Sequence, residues 1–513
     1  MLHYVRTVLI IASLISALHV TTVQAQSADD IRQTAQNALS AFNIPGLAVV
    51  AVKDGDVILA EGFGVRDIQT NEPVTADTLF GVASHTKAFT ATAMALLVEQ
   101  GTLDWDDKVI QYIPEFRLAD PAVSADVTIR DLLSHRTGLG LGAGDLMIWP
   151  NTDKTISDIL ASIPHLPLAS GLRERYAYNN IMYVVAGEVI ARASGLPYAD
   201  FVQQHLLQPM GMDNTVIGYS QVPAAVTNLA TGTIEKDGTL HRFPLDYLED
   251  FAAAGAMLSS ANDFAQWLLV QTNQGKTAEG TTIFSERTQQ HLWHTVMPLT
   301  VPASAAANGS QFRAYGLGWF VKNEFGVKQI YHSGGILGML SLTTIIPEHR
   351  FAITVMSNQQ AFGALTAITQ EAIEDLLALP DRDWLAEEQE KYQQSMQEKA
   401  EFTVTTPADI RAPLSLERYA GTYHDDWYGD VVITHQTDGL RIAFAHTPLL
   451  TGSLHHYNGD TFIVYWDEPL LEADAFIDFT VTRDNRVTDA RLEAIAPFTD
   501  FSFDFHHLRL KRQ

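Results

Sequence analysis

Ser84 and Lys87 are the side chains in this sequence best spaced for covalent chemistry. A serine hydroxyl is a poor nucleophile until a base removes its proton, and a lysine three residues further along a helix lies on the same face, within reach. The amine serves only if it is neutral. Residues 88–98 carry no charge, so this segment reads as a helix enclosed on most sides, ended by Gly101. Burial of that kind can lower a lysine pKa by up to ~3 to 5 units. Backbone N–H groups at the helix start, where Ser84 stands, can stabilise the oxyanion formed when a carbonyl is attacked. Ser-x-x-Lys is short enough to arise by accident, yet of the eleven lysines only Lys87 has a serine three residues before it.

Two further constellations carry possible chemistry. Tyr178 and Asn180, in the sole Tyr-x-Asn of the chain, offer a phenol and an amide two positions apart before a helix over residues 182–193. A tyrosinate held among cations can exchange protons with nucleophile and leaving group, and an amide can hydrogen-bond lysine and substrate. Taken alone, the same residues are what a packed aromatic at a helix start looks like. Tyr331-His332-Ser333-Gly334-Gly335 falls on an expected strand. There glycines let a substrate backbone lie against the strand edge, and the N–H of Gly335 can complete an oxyanion hole with that of Ser84. A Gly-Gly pair by itself marks only a turn.

The elements that must position these groups follow from periodicity. Residues 29–42 have helical spacing; 47–52 and 57–65 read as strands joined by the turn Lys53-Asp54-Gly55-Asp56. A long, mostly helical region follows the Ser84 helix. Within it, residues 139–175 are punctuated by Gly and Pro without strong period, as segments that wall a binding site often are, disorder being the alternative. Strands are expected at 316–321, 328–332, 340–346 and 351–357, and a helix at 364–379. Strands at both ends of a helical middle imply an α+β fold, one antiparallel sheet built from the two chain ends with a helical domain inserted. Residues 381–412 read as a solvated linking helix closed by Pro407 and Pro413. Residues 413–513, with strands expected at 430–434, 440–444, 461–466, 475–482 and 501–505, read as a separate all-β domain.

A length of 513 residues suits two domains. With 33 Lys and Arg against 60 Asp and Glu, the net charge of −27 argues against nucleic acid or an anionic membrane as partner. The absence of cysteine excludes disulfides, thiolate metal sites, a cysteine nucleophile and lipid attachment through cysteine. His455-His456 and His506-His507 make poor chelates, because adjacent residues of a strand point to opposite faces. No metal and no cofactor is expected. Arg6, the apolar run 8–20 and Val23-Gln24-Ala25 have the order of a secretory signal peptide cleaved after Ala25. The run is shorter than the ~20 residues a membrane span needs, so residues 26–380 are expected to form an exported domain, periplasmic or secreted, with no span after cleavage. Oligomeric state is not legible.

Taken together and in this order, Ser84-x-x-Lys87, Tyr178-x-Asn180 and His332-Ser333-Gly334-Gly335 resemble the motif set of the serine β-lactamase and penicillin-binding-protein superfamily. Residues 129–135 and Gly316-Leu317-Gly318-Trp319 extend the resemblance, which runs from about residue 29 to 379 and is greatest to the class C-related branch that also holds D-aminopeptidases and esterases. It implies that Ser84 is acylated, Lys87 is its base, Tyr178 is a second proton carrier, and Asn180, His332, Ser333 and Gly334 are substrate-side or network groups. The C-terminal region resembles an all-β domain commonly fused to such hydrolases. His332 departs from the pattern, since the antibiotic-targeted members place lysine there. That departure leads to the expectation of neutral acyl groups rather than penicillins, with Arg173 and Arg175 the next place to look for a carboxylate receptor. No glutamate can be assigned as a deacylating base, and neither Gly-x-Ser-x-Gly nor His-Glu-x-x-His occurs. The expected function is a secreted serine hydrolase acting through an acyl-enzyme on a small-molecule or peptide substrate, an amide or an ester. β-Lactamase or D,D-peptidase activity is the alternative, and a non-catalytic binder or sensor a second one.

Overall fold

Apolar runs from the two ends of the larger, N-terminal region meet in one sheet. The computed structural model describes residues 28–244 and 252–513; the expected leader, 1–25, lies outside them. Strands run in the order Asp56–Gly64, Gly46–Lys53, Phe351–Ser357, Met339–Ile346, Val327–Ile336, Phe320–Glu324, Arg313–Tyr315 and Met297–Leu299. All neighbouring pairs are antiparallel. Strand Gly46–Lys53 is apolar throughout because both its faces are covered. Leu47, Val49 and Ala51 pack with the helices 28–41 and Phe362–Leu377, while Ala48, Val50 and Val52 face the main core with Phe264 and Leu268 of helix Ala261–Thr272, as the two-residue alternation of a strand requires.

The helical insertion holds helix Thr86–Glu99, whose residues from Thr86 to Leu97 are all buried. Gly101 (φ 73°) ends it, and Thr102 N–H returns to the Leu97 carbonyl. Among the described residues no helix is long and apolar enough to cross a membrane.

The C-terminal region is a closed eight-stranded barrel: Gly421–Asp425, Gly429–Gln436, Gly439–Phe444, Thr451–Asn458, Thr461–Trp466, Ala475–Val481, Val487–Ala494 and Leu510–Arg512. The last strand pairs with both the first and the seventh and so completes the ring. Tyr419, Tyr423, Tyr428, Phe444, Phe462 and Trp466 fill the interior.

Several expectations are corrected. Residues 316–319 form a turn, and the strand begins only at Phe320. Gly318 (φ 74°) lies so close to the nucleophile helix that a side chain there would meet the Lys87 carbonyl and Ala91 at 2.7 Å. Residues 501–505 form no strand but a loop running into the short turn Phe505–His507. Their alternation arises because Phe503 and Phe505 enter the barrel core while Phe501 points away from it, 41% exposed. His506 and His507 therefore do not sit on opposite faces of a strand; their rings stand 4.1 Å apart. Among the described residues no group of three or more His, Asp or Glu could hold a metal. Helix Trp384–Glu401 is not wholly solvated: Trp384 is buried and donates to Glu374, and Gln389 donates to the Ala41 carbonyl. Residues 139–175 are ordered, with a turn at Asp145–Met147 and a helix at Ile156–Ser162.

Candidate active site

Ser84 sits in a single helical turn, Ala83–His85, that leads directly into helix Thr86–Glu99. Ala83 takes a left-handed conformation (φ 50°), uncommon for a residue with a Cβ and a mark of a backbone held by its surroundings. Those surroundings are visible. The Val82 carbonyl accepts from Ser341 Oγ (2.8 Å), Thr86 Oγ1 donates to the Ala83 carbonyl (2.7 Å), and Val82 N–H donates to the Met257 carbonyl (3.0 Å). Gly334 lies under the same turn, where a Cβ would meet the Val82 carbonyl oxygen at 2.1 Å. Glycine at 334 is what lets strand Val327–Ile336 press against the nucleophile turn.

Lys87 is fully buried. Its Nζ lies 2.9 Å from Ser84 Oγ and donates to the Ala254 carbonyl at 2.7 Å, with the Tyr178 and Tyr183 ring centroids 4.9 and 5.5 Å away. Burial pushes its pKa down to about 7 against the opposing pull of Asp145. The amine is thus available as a base near neutrality, and the sequence-predicted pair is assembled.

Tyr178 and Asn180 reach the same place from the start of helix Ile181–Ser194. Asn179 between them fixes the segment: its amide donates to the Ala143 carbonyl (2.9 Å), its Oδ1 accepts from Met182 N–H (3.1 Å), and its backbone N–H donates to His135 Nδ1 (3.1 Å). Gly142 N–H donates to the Tyr178 carbonyl (2.9 Å). Burial pushes the Tyr178 phenol up, with a hydrogen bond to Ser84 opposing it. The tyrosinate anticipated from the sequence is therefore disfavoured, and Tyr178 is a neutral phenol that carries a proton. Asn180 donates to Asp145 Oδ2 at 2.8 Å.

His332 is 1% exposed and engaged inward. Its Nδ1 donates to the Ser333 carbonyl (2.6 Å) and its Nε2 faces the Tyr315 hydroxyl (3.2 Å). Burial, with His85 and Lys87 nearby, holds its pKa well below the usual imidazole range. Its surroundings favour the neutral imidazole over the imidazolium. Arg173 and Arg175 do not approach this place: Arg173 is bound to Asp126 and Asp131, and Arg175 is exposed beside Glu174. The cation at the rim is Arg313, whose Nε donates to the Tyr331 hydroxyl at 2.6 Å.

These groups line one cavity of about 520 Å³. Ser84, Tyr178, Asn180, His332, Ser333 and Gly335 face it, with Lys87 beneath its floor and Gly334 turned away under the nucleophile turn. Ile148 and Trp149 of the irregular segment, together with Tyr176 and Phe320, make its walls largely aromatic and apolar. Three lining residues come from the barrel: Asp500, Phe501 and Ser502. Sequence reasoning missed these, as well as Asp145 and the Ala254 carbonyl. The spacing of Gly140, Gly142 and Gly144 was the one available signal, since at Gly142 (φ 64°) a Cβ would meet the Phe501 carbonyl at 2.7 Å.

Comparison with known proteins agrees with this architecture. The family model described as β-lactamase matches residues 31–378, and a second, for a domain of unknown function (DUF3471), matches 405–512. Unguisins hydrolase ungD of Aspergillus violaceofuscus is 30% identical over 468 residues, 84% of this chain and 82% of its own. Protein flp of Staphylococcus aureus is 25% identical over 63% of this chain and 61% of its own. Among solved structures, the octameric penicillin-binding protein homologue from Pyrococcus abyssi superposes with a TM-score of 0.60 at 22% identity, covering 94% of this chain and 99% of that one. The D-amino acid amidase from Ochrobactrum anthropi SV3 gives 0.54 at 24%, covering 71% and 99%. Both structural likenesses are ones of fold.

Proposed function

The chain belongs to the β-lactamase family, a family of serine hydrolases of β-lactamase and penicillin-binding-protein type, and from that premise we propose that it hydrolyses an amide or ester through an acyl-enzyme on Ser84. The observation that carries this reading is the fully buried Lys87 amine, 2.9 Å from Ser84 Oγ and held at about 7. Neutral Lys87 takes the Ser84 proton as Oγ adds to the substrate carbonyl. The oxyanion is met by the N–H groups of Ser84 and Gly335. Tyr178, protonated at rest, passes its proton to the leaving amine or alkoxide, and is restored from the Lys87 ammonium. Water then attacks the acyl-enzyme, with the same two groups moving its proton in reverse.

The substrate favoured is neutral around its scissile bond, because burial disfavours a charge on His332 and the walls are aromatic. A structural neighbour that is a D-amino acid amidase supports an amide, a relative named as an unguisins hydrolase supports hydrolysis, and a neighbour described as a hydrolase with promiscuous acyltransferase activity keeps an ester in view. The leader-like residues 1–25 support export.

The test is a fluorophosphonate probe together with a panel of D-amino acid amides, short aryl esters and a chromogenic cephalosporin. The wild type should be labelled once and turn over an amide or ester faster than the cephalosporin. Ser84→Ala should lose labelling and about 10⁴- to 10⁶-fold in rate. Retained labelling and turnover in Ser84→Ala would end the proposal.

A further inference from the structure

A buried carboxyl stands between the hydrolase site and the barrel. Asp145 is fully enclosed, beginning the turn Asp145–Met147 after left-handed Gly144. Its Oδ2 accepts from Asn180 Nδ2 (2.8 Å) on one side and from Ser502 Oγ (3.1 Å) on the other. Its Oδ1 has no hydrogen-bond partner. No arginine reaches it; the charged groups that act on it are Lys87 from the nucleophile helix and Asp504 from the barrel. Such a carboxyl is poorly satisfied by its own domain, and buried polar groups are ordinarily paired.

The barrel supplies what the hydrolase domain lacks. Asp504, also fully buried, accepts from Gly144 N–H (2.8 Å) and Leu146 N–H (3.4 Å), clasping the backbone on both sides of Asp145. Ser502, 7% exposed, is held in turn by its own N–H to Asp500 Oδ1 (2.8 Å). Phe501 between them sets its ring edge-on to Tyr178, 6.0 Å between centroids. The last loop of the barrel thus touches the phenol directly and the amide of Asn180 through one carboxyl.

We propose that Ser502 and Asp504 of the barrel are positioning residues for acyl transfer, holding Asp145 so that Asp145 holds the Asn180 amide at the cavity. This gives the C-terminal domain a task in the chemistry of the other domain. The inference rests on the acyl-enzyme reading above. Asn180 faces the cavity with its amide nitrogen anchored, so its carbonyl oxygen has a fixed direction. Without the Ser502 hydroxyl, Asp145 keeps a single donor and the amide loses its fixed orientation.

The experiment is a double-mutant cycle on the full-length protein, with an aryl ester or amide found active in the panel. Ser502→Ala should lower kcat about tenfold, the weight of one hydrogen bond to a buried acceptor, with KM changed less than about twofold. In an Asp145→Ala background the same substitution should cost less than about twofold, because the relay is already cut. Asn180→Ala serves as an independent background should Asp145→Ala not fold, and the same loss of effect is expected there. A purely structural role for Ser502 would give equal losses in every background, and that additivity overturns the proposal. So does a Ser502→Ala enzyme with wild-type kcat. Fluorophosphonate labelling of Ser84 in the wild type, run alongside, separates the two readings. If Ser84 is not labelled, the acyl-enzyme fails; if it is labelled and the cycle is additive, only the relay fails.

Discussion

Asp131 and Asp145 are both fully buried carboxyls fourteen positions apart, yet their surroundings oppose one another. Asp131 is clasped on every side. Thr128 donates through its N–H (3.0 Å) and its hydroxyl (2.8 Å), Arg136 Nε lies at 2.6 Å, and Arg173 Nη2 at 2.7 Å. Burial pushes its pKa up, and Arg173, Thr128 and Arg136 more than offset that, holding it below the usual carboxylate range. Asp145 has one amide and one hydroxyl. Burial, then Asp504, push it well above that range. The first site is built so that a charge rests there at no net loss. The second tolerates a carboxyl that nothing neutralises, beside an amine that burial has likewise driven towards neutrality. Stability is served at Asp131, and chemistry at Asp145 and Lys87.

The contrast breaks most readily at Lys87. Arginine never becomes a base, so Lys87→Arg should lower acylation by about 10²- to 10⁴-fold while the fold persists; stopped-flow acylation at the parental rate would make Lys87 an electrostatic anchor only. Next in size is Asp131→Ala, which takes from Arg136 its carboxylate and leaves Arg173 with Asp126 alone. A loss of about 3 kcal/mol in unfolding free energy is expected, at the low end for a broken buried pair because Arg173 is 38% exposed. Urea unfolding that gives less than about 1 kcal/mol would erase the distinction between the two carboxyls. The sign with pH follows from the lowered pKa. The contribution of Asp131 is full above its unfolded value near 4 and is lost as pH falls below it, so Asp131→Ala should matter least in acid.

A third expectation concerns activity against pH. Only neutral Lys87 accepts the Ser84 proton, so kcat/KM should fall about tenfold per unit on the acid side of a midpoint near 7. An acid limb below pH 5 would point to a different base. The smallest effect belongs to Asp145→Asn. A raised carboxyl pKa costs stability as pH climbs above the unfolded value, since the unfolded chain ionises first. Removing that titration should raise unfolding free energy by about 1 kcal/mol at pH 7 and change nothing at pH 3. Destabilisation at pH 7 would show Asp145 to be a second Asp131.

The same contrast explains what could be read beforehand. Ser84 with Lys87, Tyr178 with Asn180 and His332 with Gly335 were legible because each set lies within one turn of helix or a few residues of strand, where spacing alone fixes proximity. The central sheet was legible for a related reason, its strands being apolar at a period of two. Asp145 and Ser502 are 357 positions apart, and no local spacing signals their meeting. The alternation Phe501, Phe503, Phe505 misled because burial of every second aromatic also occurs in a loop that straddles a barrel mouth. The barrel strand Leu510–Arg512 is too short to declare itself, and closure is a property of the whole ring. The phenol state of Tyr178 depended on burial, which motifs do not report.

Ring closure has one more consequence. Strand Leu510–Arg512 lies between Gly421–Asp425 and Val487–Ala494, bonded to both, and it also holds one end of the loop that carries Phe501, Ser502 and Asp504. Unpairing of Leu510–Arg512 from its two neighbours would uncover two strand edges, the usual seeds of aggregation. It would also cut one tether of the loop that touches Tyr178 and Asp145. Displacement of a few residues at one seam of the barrel would then be felt at the nucleophile of the other domain, and loss of ring closure becomes a form of inactivation that leaves every motif residue in place.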